Sequence, residues 1–202
     1  MEPGTLILAI VFAILIGGIP SGLLAARYLS DVDLRSVGSG NIGATNIYRA
    51  FGLKWAVAVF LADALKGLLP VIMARGLLLP PAGVMAAGFV AVLAHVYNPY
   101  LRFKGGKGVA TAFGVMLAIV PWAALLALAV WAAIALTTRR VSLGSLVAAA
   151  VLPFATLFLA HSWAYRIGAF LVTGLVIYSH RENIARLKAG EEKPVQREPS
   201  EK

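Results

Sequence analysis

A chain of 202 residues that is 60% hydrophobic and 13% charged, with a mean hydropathy of +0.84, falls outside the soluble globular range and reads as an integral membrane protein. Its net charge of +9 is scattered between apolar runs, which argues against nucleic acid and assigns the cations to membrane orientation and anionic ligands. With no cysteine, disulfides, thiolate metal sites and a thiol nucleophile are excluded.

The first apolar run, residues 5–26, has no basic residue before it and exceeds a signal-peptide core, so it is read as a retained span. Further runs cover 55–74, 82–97, 109–136 and 143–178. The last is too long for one crossing, since about 20 residues span a bilayer, and AHSWAYR at 160–166 is expected to turn it. The fourth carries Pro121-Trp122, a helix breaker beside an interfacial aromatic. Two crossings there give seven transmembrane helices. One face then collects Arg27, Arg35, Arg49 and Lys54, then Arg102, Lys104 and Lys107, then Arg139 and Arg140, and the tail from Arg181. The other face keeps Arg75 and Arg166. A single crossing would put Arg139 and Arg140 opposite Lys104 and Lys107, against the bias of cytoplasmic loops toward Lys and Arg.

The expected fold is therefore an all-α polytopic membrane bundle of seven transmembrane helices, N-terminus outside and C-terminus cytoplasmic. Residues 109–120 are short for a full span, so that helix is expected to begin in a loop dipping below the membrane surface. Residues 1–192 read as one membrane-embedded domain, and 193–202 as a polar, fraying tail.

Three polar stretches then share the cytoplasmic face. In GSGNIGATNIYRAFG (38–52), Gly38, Gly40 and Gly43 match the dinucleotide pattern G-x-G-x-x-G, with Asp63 at the expected distance. That pattern has meaning only after a strand in a βαβ unit, and here it lies between two membrane spans. The glycine chemistry survives the failed motif: crowded backbone N–H groups cradle anions, Ser39, Asn41, Thr45 and Asn46 add neutral donors, and Arg49 adds a forked cation. The alternative is a re-entrant turn whose polar groups satisfy one another.

FKGGKG (103–108) repeats the chemistry with Lys104 and Lys107 around Gly105, Gly106 and Gly108, at the start of a helix. It is no Walker motif, because Gly108 stands where Ser or Thr would hold magnesium. The alternative is a positive-inside anchor. In HRENIARLKAGEE (180–192), His180 ends the last span with Glu182 and Asn183 close by, placed for proton transfer, phosphate binding or simple capping. His95 and His161 receive no role. Asp63 and Lys66, three apart within the second span, share a helix face and are read as a neutralising pair that braces the bundle or faces the site from below. Ser142 and Ser145 open the sixth span, as caps or as ligand hydroxyls. No histidine is followed five residues later by Asp, and there is no nucleophile elbow, two-histidine helix or carboxylate cluster. Neither metal nor cofactor is expected.

Together and in this order, the three stretches resemble the signature motifs of the bacterial acyl-phosphate-dependent glycerol-3-phosphate acyltransferases, the PlsY family, over roughly residues 5–192. The resemblance implies a seven-helix enzyme of the bacterial inner membrane, its active site facing the cytoplasm. It implies transfer of a fatty acyl group from acyl phosphate to the 1-hydroxyl of glycerol 3-phosphate, without nucleic acid or an obligate protein partner. The products are lysophosphatidic acid and inorganic phosphate. It assigns the chemistry to Ser39, Lys107 and His180, and substrate binding to Thr45, Asn46, Arg49, Lys104, Gly105, Gly106, Gly108, Ser142, Ser145, Asn183 and Glu192. Within that pattern Ile42 and Asn98 read as variable positions. Two other classes compete. A transporter of a phosphorylated solute would carry more polar residues in its spans and an internal repeat. A hydrolase using Ser39 and His180 would leave the basic glycine loops unexplained.

Overall fold

The computed structural model describes residues 3–30 and 32–196, so the outer part of the expected tail, 197–202, lies outside the described residues. Among the described residues the regular structure is helical: α1 (Pro3–Gly17), α2 (Ser21–Leu29), α3 (Ala44–Phe51), α4 (Leu53–Gly76), α5 (Pro81–Val96), α6 (Val109–Ile119), α7 (Pro121–Thr138), α8 (Val141–Leu159), α9 (Trp163–Ser179) and α10 (Arg181–Lys188). Five stretches among the described residues are long and apolar enough to cross a membrane: Pro3–Leu29, Leu53–Gly76, Pro81–Leu101, Pro121–Thr138 and Val141–Leu159. Val109–Ile119 and Trp163–Ser179 are shorter apolar helices.

The breaks inside the long runs fall where backbone chemistry demands them. Val120 separates α6 from α7, and Pro121 supplies the first residue of α7, where a missing N–H costs nothing. Between α8 and α9, Arg166 donates Nε and Nη2 to the Ala160 carbonyl at 3.2 and 2.8 Å, holding the turn closed. One break was not expected: the first run divides at 18–20. Pro20 has no N–H to donate, and Gly17 and Gly18 lie so close to the Ala91 backbone and the Tyr100 ring that a β-carbon has no room.

Small residues also set the packing of the bundle. A β-carbon at Gly67 would strike the Thr111 carbonyl and one at Gly114 the Ala64 carbonyl, so α4 and α6 meet backbone to backbone. The main apolar core gathers Val71, Val92, Val115, Met116, Ala169 and Val172 from α4, α5, α6 and α9. A second, smaller cluster joins Leu23 and Ala26 of α2 to Leu34, Ile42 and Ile47 of the first loop and α3, and to Ala56 and Val59 of α4. Gly52, at φ +85°, turns α3 into α4. At the other end of the chain, the Val195 N–H donates to the Arg139 carbonyl at 2.7 Å. Val195 thus meets the α7–α8 corner.

Candidate active site

The second glycine loop is built on the C-terminal end of α5. Asn98, fully buried, accepts from Tyr100 N at 3.0 Å and donates Nδ2 to the Gly18 carbonyl at 2.6 Å. Its own carbonyl accepts from Leu101 N and Phe103 N. The chain then passes through Arg102 and Phe103 at φ +52° and +63°, the left-handed region that costs a side-chain-bearing residue energy and persists only under such anchoring. Asn98 is thus a keystone of the turn and not a free position. Ile42 is likewise 3% exposed, with its carbonyl against Gly22.

Gly105 N donates to the Val96 carbonyl at 3.0 Å, and Gly106 N to the His95 carbonyl at 3.1 Å. A β-carbon at Gly105 would overlap the His95 carbonyl, and one at Gly106 the His95 ring. These glycines are required by close approach. Their amides, expected to face an anion, are engaged inside the protein. Lys104, exposed, and Lys107, partly buried, carry what the loop offers outward.

Lys107 is the head of a network that spans four parts of the chain. Its carbonyl accepts from Ser179 Oγ at 2.8 Å, and its Nζ donates to Asn183 Oδ1. Asn183 Nδ2 donates to Glu192 Oε1 at 2.6 Å, and Ser142 Oγ donates to the same oxygen. Arg186 Nε holds Oε2 at 2.7 Å, and Arg140 Nε holds the Glu192 carbonyl at 3.1 Å. Burial pushes the Lys107 ammonium down to about 8, against the pull of Glu192. Burial raises the Glu192 carboxyl, yet the bonds from Ser142, Arg186 and Asn183 outweigh it and hold it below its ordinary value.

His180 is 2% exposed at the corner between α9 and α10. Its Nδ1 lies 2.8 Å from the Val176 carbonyl, which can only accept, so Nδ1 carries the proton and Nε2 keeps its lone pair. Burial pushes its pKa down to about 4, with the Val176 bond opposing and Lys107 adding to the shift. The ring is neutral at pH 7.

The first glycine loop is organised by Asn46, 1% exposed in the first turn of α3. Its Oδ1 accepts from Ser39 N at 3.0 Å, and its Nδ2 donates to the Leu34 and Val37 carbonyls at 2.9 and 3.1 Å. With both Nδ2 hydrogens given to backbone carbonyls, Asn46 shapes the loop and has no donor left for a substrate phosphate, in contrast to the binding role expected of it. Ser39 is exposed, Thr45 and Arg49 are half-buried, and the Arg49 stem lies along Gly38. Ser145 also differs from expectation: its hydroxyl donates to the Val141 carbonyl one turn back in α8. Among the described residues no hydrogen bond links the first-loop side chains to the Lys107 network.

All three stretches nevertheless converge. A cleft of roughly 260 Å³ is lined by Asn41 of the first, Lys104 and Lys107 of the second, and Ser179, Arg181 and Glu182 around the third. Sequence reasoning missed Ser179, Arg186 and Arg140. Arg186 carried a usable signal, since it stands three residues after Asn183 and so shares its helix face. Among the described residues no three His, Asp or Glu side chains gather as a metal site would require.

Fold and cleft together define a class: a helical membrane protein that brings cations, amides and hydroxyls from three separated segments to one end of an apolar bundle. Comparison supplies the family. The model for glycerol-3-phosphate acyltransferase matches residues 7–190, and the chain belongs to that family. The glycerol-3-phosphate acyltransferase of Geotalea daltonii is 47% identical over 92% of this chain and 95% of its own length. That of Geobacter sulfurreducens is 51% identical over 89% and 92%. The crystal structure of PlsY (YgiH), an integral membrane glycerol 3-phosphate acyltransferase in its glycerol 3-phosphate form, superposes with a TM-score of 0.89 at 40% identity, covering 95% of this chain and 96% of that one. Its lysophosphatidic acid form gives 0.87 at 39% identity, covering 94% of each.

Proposed function

We propose that this chain moves a fatty acyl group from an acyl phosphate to the 1-hydroxyl of glycerol 3-phosphate, yielding lysophosphatidic acid and inorganic phosphate. The observation that carries the reading is the meeting of the three stretches around Lys107. Both substrates bear a phosphate, and the cleft offers Lys104 and Lys107, with Arg49 of the first stretch outside its lining but near enough for its charge to act on Lys107. The two crystal forms of the related PlsY, one with glycerol 3-phosphate and one with lysophosphatidic acid, support the acceptor and product.

The seven apolar segments correspond to seven crossings, with the N-terminus outside, the C-terminus in the cytoplasm and the cleft facing the cytoplasm of a bacterial inner membrane. The distribution of Lys and Arg supports this orientation. No cofactor or partner protein enters the scheme.

An acyl phosphate is already activated, so no covalent enzyme intermediate is needed. Lys104 and Lys107 bind the acyl phosphate head, whose chain lies in the bilayer. Ser39, Arg49, His180 and Asn183 hold glycerol 3-phosphate. The 1-hydroxyl oxygen attacks the acyl carbonyl, the carbon–oxygen bond to phosphate breaks, and Lys107 neutralises the departing phosphate. An imidazole with a conjugate acid near 4 is a poorer proton acceptor than a phosphate dianion, whose second pKa is about 6. His180 Nε2 therefore orients the hydroxyl, and the proton ends on a substrate phosphate oxygen.

Purified protein given long-chain acyl phosphate and glycerol 3-phosphate should release phosphate only when both are present. Release without glycerol 3-phosphate would make it a hydrolase, and no release would favour transport. His180→Gln should keep turnover within about tenfold, whereas a loss near the 10²–10⁴-fold typical of a general base would return the proton to His180.

A further inference from the structure

Two buried charges take no part in the cleft. Asp63 and Lys66 of α4 are each 3% exposed and paired at 2.8 Å. What they touch is the break in the first span. Lys66 Nζ donates to the Ile19 carbonyl at 2.7 Å, just past the C-terminal end of α1. Asp63 Oδ1 accepts from the hydroxyl of Ser21, the first residue of α2, at 2.6 Å. The cation thus sits at the negative end of one half-helix and the anion at the positive end of the next. Backbone freed at membrane depth needs partners from the protein, and Lys66 supplies one for Ile19 as Asn98 does for Gly18.

We propose that Asp63 and Lys66 are positioning residues that lock α2 against α1 and, through α2, set the first glycine loop for glycerol 3-phosphate. The path of transmission is continuous. Gly22 of α2 lies directly against the Ile42 carbonyl, with no room for a β-carbon. Leu23 and Ala26 share one apolar cluster with Leu34, Ile42 and Ile47. Asn46 then binds Leu34 and Val37 to Ser39. The turn that carries Lys104 is anchored separately, by the Asn98 bond to the Gly18 carbonyl, and does not depend on the Asp63–Lys66 pair. The inference rests on the reading that the first loop takes glycerol 3-phosphate and Lys104 and Lys107 take the acyl phosphate.

The test uses the full chain in lipid nanodiscs. Lys66→Met should raise KM for glycerol 3-phosphate about tenfold or more, with KM for acyl phosphate within about twofold. The double variant Asp63→Asn with Lys66→Gln removes both charges while leaving an acceptor for Ser21 and an amide donor, one bond shorter, directed toward Ile19, and should return that KM to within about threefold. Ser21→Ala, which removes the hydroxyl's donation to Asp63 and its long contact with the Ile19 carbonyl but leaves the Lys66 bond in place, should raise it by a smaller factor and keeps the test valid if Lys66→Met does not fold. Equal changes in both KM values would overturn the proposal, as would unchanged KM values with only less folded protein. Because the chain has no cysteine, spin labels at Ser36→Cys and Lys188→Cys report loop position without reference to activity. The label distance should shift or broaden in Lys66→Met, and an unchanged distribution overturns the lock. A wild-type protein inactive with both substrates would overturn the functional reading instead, leaving the label distance to decide the lock.

Discussion

On the Lys107 side Lys107, Asn183, Glu192, Ser142 and Arg186 are already bonded to one another, whereas on the first-loop side, which reaches the cleft through Asn41, the side chains of Ser39, Thr45 and Arg49 make no hydrogen bond among the described residues. The first side is pre-organised by side chains, so an arriving phosphate must share Lys107 with Asn183. The second is pre-organised by backbone: Asn46 fixes the loop and leaves the donors around it open to solvent. Fixed donors that need no reorganisation when charge develops are what a transfer reaction rewards most. Open donors on a rigid loop suit capture of a soluble anion.

The sharpest way to break this division is to remove one cation from each side. Lys107→Ala should lower kcat about 10³-fold, the loss typical of deleting a group that meets developing charge. Arg49→Ala should instead act mainly on KM for glycerol 3-phosphate, raising it about 100-fold as a forked phosphate contact disappears. Steady-state kinetics with each substrate varied in turn separates the two. Wild-type activity in either variant would sink the assignment, and the same kinetic signature in both would erase the distinction between the sides.

Asn46→Ala tests whether the open side depends on its scaffold. The change leaves the Leu34 carbonyl and the Ser39 N–H without their partner, while the Val37 carbonyl keeps the Gly40 N–H, at about 1–3 kcal/mol for each group that water cannot reach. Thermal unfolding should move down by several degrees, and KM for glycerol 3-phosphate should rise about tenfold. A variant with a normal KM would mean that Ser39 and Arg49 do not depend on the loop for their placement.

These residues also show how far the sequence could be read. The breaks at Pro121 and 160–162 were visible because proline and a polar turn interrupt runs too long for one crossing. The break at 18–20 carried an equally clear signal in Gly17-Gly18-Ile19-Pro20, overlooked because the run as a whole has the length of one span. The three polar stretches were legible as partners because composition set them apart from the bundle. Their division of labour was not, since Asn46 and Ser39 look equivalent in sequence and only burial reveals which is scaffold. Gly105 and Gly106 mislead for a related reason: a glycine needed so that a backbone can rest on His95 is written in the same letter as one needed by a phosphate.

A milder perturbation of the paired side is pH. Lys107 is charged below about 8 and loses its proton above it, so kcat/KM for acyl phosphate should fall as pH rises through that value, tending toward tenfold per unit. Lys107→Arg keeps its charge and should move the descending limb upward, even if its absolute rate is lower. The stability linkage has the opposite sign. Between about 8 and the ordinary lysine value of 10.5 the unfolded chain holds the extra proton, so raising pH across that window favours folding through this group. Falling activity with unimpaired thermal stability is therefore the expected combination, and a limb unmoved in Lys107→Arg would assign the titration elsewhere.

The smallest expected effect distinguishes two serines three residues apart on α8. Ser142 and Ser145 are both buried, yet Ser142 donates to Glu192 and belongs to the paired side, while Ser145 donates to Val141 within its own helix. A hydroxyl bonded one turn back contributes little to a helix. Ser145→Ala should therefore change unfolding by no more than about 0.5 kcal/mol, and both KM values by less than about twofold. Ser142→Ala takes one of three side-chain donors from the Glu192 carboxylate, and through Asn183 the loss reaches Lys107. Its effect should fall on kcat with the sign of Lys107→Ala and a small fraction of its size. If Ser145→Ala instead costs as much as Ser142→Ala, the Ser145 hydroxyl turns to the ligand during turnover, and the paired side extends one helical turn deeper into the bundle than the hydrogen bonds place it.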